Sequence, residues 1–140
     1  FAAARDAADK KGLELAAEIP ADAASVYADS TALRQVLGNL VDNAVRHTTS
    51  GQVVLFSEPQ GRGLVVGVRD TGVGISPEHL PRIFERFYRV DPGRAREEGG
   101  TGLGLSIVKH LVEAHGGRVK AASEVGRGSR ITAFFPHASE

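Results

Sequence analysis

Leu33, Val36, Leu37, Leu40, Val41, Ala44 and Val45 recur at i, i+3, i+4, i+7, i+8, i+11 and i+12, the spacing of an amphipathic helix with one apolar stripe. Asp29 or Ser30 is placed to cap its start. Two β-rich runs follow, from Gln52 to Ser57 and from Leu64 to Arg69, with a turn expected around Pro59, Gly61 and Gly63. A helix with one greasy side followed by a strand pair predicts a helix laid against a sheet.

The remaining segments extend that pattern. Phe1 to Lys11, rich in alanine and charge, reads as a helix end stopped by Gly12, the tail of an upstream element or a linker. Leu13, Leu15, Ala17 and Ile19 alternate with Glu14, Ala16 and Glu18 up to Pro20, which predicts a half-exposed strand, with Val26 to Ala28 as a short partner. Ser76 before Pro77 predicts a helix running to about Phe87, and Asp91 to Thr101 predicts a polar, mobile loop. Gly102 to His115 predicts a second amphipathic helix closed by Gly116 and Gly117, and Arg118 to Ala122 with Ser129 to Phe135 a closing hairpin. The expected class is α+β: a two-layer sandwich in which a mixed, mostly antiparallel sheet of about five strands carries about three helices on one face.

The 140 residues, 41% of them hydrophobic, suffice for one core, so residues 12–140 are expected to form one domain behind the residue 1–11 element. Seventeen basic residues balance seventeen acidic ones, so bulk charge favours neither nucleic acid nor a membrane surface as partner. The absence of cysteine excludes disulfides, thiolate metal sites and a cysteine nucleophile. The chain opens on Phe1 rather than methionine and contains no apolar run of about 20 residues, which reads as a water-soluble piece of a longer protein.

Four segments carry chemistry. Asn39, Asn43 and Arg46, at i, i+4 and i+7, place two carboxamides and a guanidinium on one helix face. Carboxamide oxygens are hard neutral ligands suited to Mg²⁺ and Arg46 can neutralise phosphate, although a solvated helix face has the same look. Asp70-Thr71-Gly72-Val73-Gly74-Ile75 leaves a strand through a glycine turn, where a carboxylate can accept the exocyclic amine of adenine; many ordinary turns share this composition. Gly99-Gly100-Thr101-Gly102-Leu103-Gly104-Leu105 precedes a helix, so its amides and the helix dipole can meet phosphate, but no Gly-Lys-Ser/Thr follows as in a P-loop. Phe84-Glu85-Arg86-Phe87-Tyr88-Arg89 reads either as a packed helix end or as a hinge whose Arg89 reaches phosphate.

In this order the segments resemble one family. Asn39 to Thr48 is similar to the N box of sensor histidine kinases, Asp70 to Ile75 to their G1 box, Phe84 to Arg89 to the F box and Gly100 to Leu105 to the G2 box. Gly126-Arg127-Gly128-Ser129-Arg130-Ile131 is similar to the last glycine-containing box, with Ser129 where threonine or serine is usual. The resemblance extends from about Gly12 to Pro136 and implies the Bergerat ATP-binding fold shared by gyrase-type ATPases, ninety-kilodalton heat-shock chaperones, histidine kinases and mismatch-repair proteins.

It implies ATP and Mg²⁺ as ligands. Asn43 would bind the metal with Asn39 assisting, Arg46 would contact phosphate and His47 would line the nucleotide. Asp70 would read the adenine amine, Gly72, Gly74 and Ile75 would shape its pocket, and Tyr88 and Arg89 would contact the nucleotide. Gly100, Thr101, Gly102, Leu103, Gly104 and Leu105 would form the phosphate lid, and Ser129 would complete the site. Hydrolytic relatives usually carry glutamate where Asn39 stands, and Asn39 cannot be a general base, which favours transfer to an external histidine. None of His47, His79, His110, His115 and His137 is followed by an acidic residue and the family's Arg-x-Pro pattern, so the acceptor is expected on a separate dimerisation domain. The implied partners are that histidine-bearing domain of the same protein and a downstream response regulator, with the parent a homodimer and this piece a monomer. The implied location is cytoplasmic, the parent being an inner-membrane sensor. A nucleotide-binding regulatory module without transfer activity is the alternative.

Overall fold

The computed structural model describes residues 2–19, 30–86, 88 and 104–136. Among them the elements run α1 (Ala2–Lys11), β1 (Glu14–Glu18), α2 (Ser30–His47), β2 (Gln52–Gln60), β3 (Gly63–Asp70), a single 3₁₀ turn (Leu80–Arg82), α3 (Gly104–Ala114), β4 (Arg118–Glu124) and β5 (Gly128–Pro136). The five strands form one sheet in the order β1-β2-β3-β5-β4, with β1 parallel to β2 and every other pair antiparallel. The expected class is borne out: three helices on a mixed, mostly antiparallel sheet.

The core lies between the layers. The stripe residues Val36, Leu40, Val41, Ala44 and Val45 of α2 are buried, as are Val108 and Val112 of α3. They meet Val53, Leu64, Val66, Val68, Ile131, Ala133 and Phe135, the alternating inward residues of β2, β3 and β5. Ala8 of α1 and Leu13 join the same cluster, so the N-terminal helix packs into this core. Lys11 adds a polar tie, its ammonium donating to the Val45 and Arg46 carbonyls at 2.8 and 3.0 Å. These are last-turn carbonyls of α2 without intrahelical partners, where a cation also complements the helix dipole.

On the opposite face of the sheet Phe56 is buried beneath two guanidiniums, Arg69 at 5.6 Å and Arg130 at 4.6 Å from its ring centre. Each arginine is ion-paired in turn, with Glu18 and Glu58 respectively. Cation–π stacking thus covers an aromatic ring on the face of the sheet away from the described helices.

Three local expectations are corrected. The helix expected from Ser76 is a run of turns containing only the 3₁₀ segment Leu80–Arg82. Pro81 explains this: it has no amide to donate and its ring obstructs the preceding turn of an α-helix. Pro59 lies inside β2, opposite Leu64, and the turn is confined to residues 61 and 62, with Gly61 at φ +56°. A proline is tolerated there because β1 ends at the Glu18–Phe56 pair, so that among the described residues no strand pairs with that side of β2 at Pro59. The alternation expected across β1 holds at Leu13 and Leu15, whereas Ile19 is 48% exposed beyond the end of this edge strand. The expectations for Val26 to Ala28 and for the loop from Asp91 to Thr101 fall outside the described residues. No helix among the described residues is long and apolar enough to cross a membrane.

Leu40→Ala should destabilise the domain by about 2–5 kcal/mol, because a fully enclosed side chain leaves a cavity, whereas Val125→Ala, on a side chain 62% exposed, should fall within about 0.5 kcal/mol of the parent. Urea unfolding checks both, and equal shifts would contradict the placement of the core.

Candidate functional site

Strand β3 ends at Asp70, between β2 and β5 in the middle of the sheet. The Asp70 Oδ1 accepts the Gly72 amide at 2.9 Å and the Ser129 amide, from β5, at 3.3 Å. Burial pushes this carboxyl above its ordinary value of 3.8; the two amides and the nearby charge of His47 pull the other way without cancelling it.

Gly72 is buried where three elements converge. A Cβ on it would come within 2.4 Å of the His47 carbonyl, 2.9 Å of Asp70 Oδ1 and 3.0 Å of Thr48 Oγ1, so a side chain there would displace the end of α2. The Val73 amide donates to the His47 carbonyl at 3.4 Å, tying the loop to that helix end. Gly74, at φ +77°, lies against the Glu124 carbonyl, and the Gly126 amide donates to Val73 at 2.9 Å, so the β4–β5 hairpin closes the other side. The Ile75 amide donates to Ser123 Oγ at 2.6 Å, while its side chain packs on the core.

Helix α2 carries the polar residues. Asn39 Nδ2 donates to the Gly104 carbonyl at 3.2 Å, joining α2 to the first residue of α3. Asn43 is half-buried one turn further along, and Arg46 pairs with Asp42 at 2.9 Å across one helical turn. His47 is exposed at the helix end. The Tyr88 hydroxyl meets His79 Nδ1, and the Arg82 guanidinium stacks 4.5 Å from the centre of the Tyr88 ring. Leu105 packs partly into the core from the first turn of α3.

The structure therefore brings Asp70, Gly72, Gly74, Ile75 and Ser129 together, and joins Asn39 to Gly104. It gives Arg46 and Tyr88 protein partners of their own. Arg89, Gly100, Thr101, Gly102 and Leu103 lie outside the described residues. Two side chains given no role in the sequence analysis belong to the cluster. Thr48 is fully buried, with Oγ1 donating to the Ala44 carbonyl at 2.7 Å. Ser123 bonds to Ile75, Gly128 and Ser129. Its inward position was legible from the period-2 pattern Val119, Ala121, Ser123; its partners were not. Among the described residues no group of three or more His, Cys, Asp or Glu side chains is placed to hold a metal.

Comparison with known proteins gives four matches of interest. The signature described as histidine kinase-, DNA gyrase B- and HSP90-like ATPase matches residues 28–139. Sensor histidine kinase CusS of Escherichia coli O6:H1 is 44% identical over 130 residues, covering 92% of this chain and 26% of CusS, so the chain spans about a quarter of that relative. Among solved structures, full-length ShkA in complex with AMPPNP superposes with a TM-score of 0.82 at 35% identity, over 96% of this chain and 28% of ShkA. The nucleotide-free catalytic domain of the histidine kinase ThkA superposes at 0.82's near equal, 0.81, with 29% identity over 97% of this chain and 86% of ThkA.

The raised Asp70 carboxyl has a consequence for stability. Its folded form holds the proton more tightly than its unfolded form, so its contribution is most favourable below the ordinary value of 3.8 and is lost as pH rises through the higher folded value. Asp70→Asn keeps an oxygen for both amides and removes the buried charge. The variant should be at least as stable as the parent at pH 7, with the difference shrinking as pH falls through the raised folded value toward the ordinary 3.8. A variant clearly less stable at pH 7 would contradict this balance.

Proposed function

This chain belongs to the histidine kinase-, DNA gyrase B- and HSP90-like ATPase family, and we propose that it is the ATP-binding catalytic domain of a sensor histidine kinase. It transfers the γ-phosphoryl group of Mg²⁺-ATP to a histidine on a separate dimerisation domain. What carries this reading is the meeting of a half-buried carboxylate, a glycine without room for a side chain and the end of a helix bearing two carboxamides.

The residues fit both ligands. Both amide bonds to Asp70 fall on Oδ1, so Oδ2 is the oxygen that accepts an exocyclic amine. Gly72 and Gly74 keep the neighbouring backbone free of side chains, which suits a flat base. With Nδ2 committed to Gly104, Asn39 offers its oxygen to the metal, and Asn43 offers a second one turn along the same helix. The Arg46–Asp42 pair is partly exposed, with side chains 36% and 49% accessible. Such pairs are worth about 0–1 kcal/mol, so the guanidinium can exchange the carboxylate for phosphate at little cost. His47 lines the nucleotide beside the Asp70 loop. Tyr88 and Arg89 contact it from the F box, and Ser129 completes the base end. Gly100 to Leu105 bring backbone amides to the phosphates. Mg²⁺, when bound, neutralises phosphate charge and orients the γ-group for in-line attack.

Asn39 has no titratable group and cannot activate water, so the domain positions the phosphoryl group for an imidazole nucleophile instead of hydrolysing it. The parent dimerises through its histidine-bearing domain and passes phosphate to a response regulator. This domain works as a monomeric unit on the cytoplasmic side of an inner-membrane sensor.

Incubated with γ-labelled ATP and Mg²⁺, the chain alone should remain unlabelled, and label should appear on the histidine of an added dimerisation domain. Label on His47, His79, His110, His115 or His137 would contradict the assignment. In calorimetry, Asn43→Ala should weaken Mg²⁺-ATP by at least about tenfold, equivalent to about 1.4 kcal/mol.

A further inference from the structure

Asp70, Ser129 and Ser123 form a row across three adjacent strands. Asp70 is opposite Ser129 in the β3–β5 register, and Ser123 is opposite Ser129 in the β4–β5 register. Each shares its parity with a core-packed residue of its own strand, Val68, Ile131 and Ala121, so the row lies on the helix-bearing face. Ser123 therefore stands next to the site while sitting outside every motif assigned above.

The hydrogen bonds of Ser123 have a polarity. Its Oγ accepts the Ile75 amide at 2.6 Å, donates to the Gly128 carbonyl at 2.9 Å and lies 2.9 Å from Ser129 Oγ. A hydroxyl has one proton and two lone pairs. The proton is on Gly128 and one lone pair is on Ile75, so Ser129 meets the remaining lone pair and must be the donor in that contact. What Ser129 then offers to any other group is lone pairs. Beside it, Asp70 is an acceptor as well.

We propose that Ser123 is a specificity-positioning residue: by drawing in the Ser129 proton it makes the Ser129 hydroxyl an acceptor, so the site selects purines with a 6-amino donor over those with a 6-oxo acceptor. This rests on the nucleotide reading above. An amino group can donate to this acceptor pair directly or through one water, whereas a carbonyl oxygen brought there leaves acceptors facing acceptors, an arrangement that costs affinity when desolvated. Ser123 acts through Ser129 and through the Ile75 amide, with no contact of its own to the base required.

The test is calorimetry of the whole chain with Mg²⁺-ATP and with Mg²⁺-inosine triphosphate, its 6-oxo counterpart. The parent should prefer ATP. Ser123→Ala frees the Ser129 proton and should weaken ATP by about 3- to 10-fold, with a comparable fall in the preference for ATP over inosine triphosphate. Ser123→Thr should restore both. Equal weakening of the two nucleotides, with the preference unchanged, would show a purely structural role and overturn the proposal. If circular dichroism shows Ser123→Ala unfolded, Ser123→Cys, close in size but a poor hydrogen-bond acceptor, decides instead: a lowered preference supports the relay and an unchanged one overturns it. A parent that binds no ATP overturns the nucleotide reading too, whereas a parent that binds ATP with a preference insensitive to these variants overturns only the role of Ser123.

Discussion

The hydrogen bonds from Gly72 and Ser129 to one oxygen of Asp70 tie the turn that follows β3 to the start of β5, 59 residues further along the chain. Leaving a carboxylate partly desolvated in the middle of a sheet is unfavourable, and burial outweighs the two amides in setting its proton affinity. The fold tolerates this because the same contacts set the loop after β3 against the end of α2 and against the β4–β5 hairpin. Gly72 has no room for a Cβ, and Gly128, at φ +127°, would place one 1.9 Å from the Asp70 carbonyl. The loop, the helix end and the hairpin therefore cannot move independently of the carboxylate.

The second requirement is a rigid α2. One side of this helix is locked into the core through Val36, Leu40, Val41, Ala44 and Val45, which holds Asn39, Asn43 and Arg46 on a fixed support. Its last turn is secured twice, by the Thr48 hydroxyl on the Ala44 carbonyl and by the Lys11 ammonium on the Val45 and Arg46 carbonyls. Through Lys11 and Ala8, helix α1 supports the element that bears the proposed metal ligands. Side chains that hold a ligand are most precise when carried by such elements, and the Asn39 bond to Gly104 extends the support to the start of α3.

Much of this was legible in the sequence where one periodicity decided the outcome. The stripe of α2, the two strands after it and the closing hairpin follow from spacing alone, because each buries one face against a neighbouring layer. The glycine segments were legible as turns, and their order pointed to the family. Pro81 was the missed signal in the segment after Ser76: the capping residues there favour a helix, but an interior proline stops it. Pro59 misled in the opposite direction, since its tolerance depends on where β1 stops pairing. The partners of Ser123 depend on register across three strands, which no local pattern encodes. The same holds for Lys11, whose acceptors lie 34 and 35 residues away.

Amide NMR during titration with Mg²⁺-ATP tests the central claim most directly. A nucleotide held with its base at Asp70 and its phosphates along α2 should shift the backbone amides of Gly72, Ile75 and Ser129 together with the side-chain amide of Asn43, all saturating at one concentration. Shifts confined to one of these two groups, or no saturable shift in either, would contradict the account.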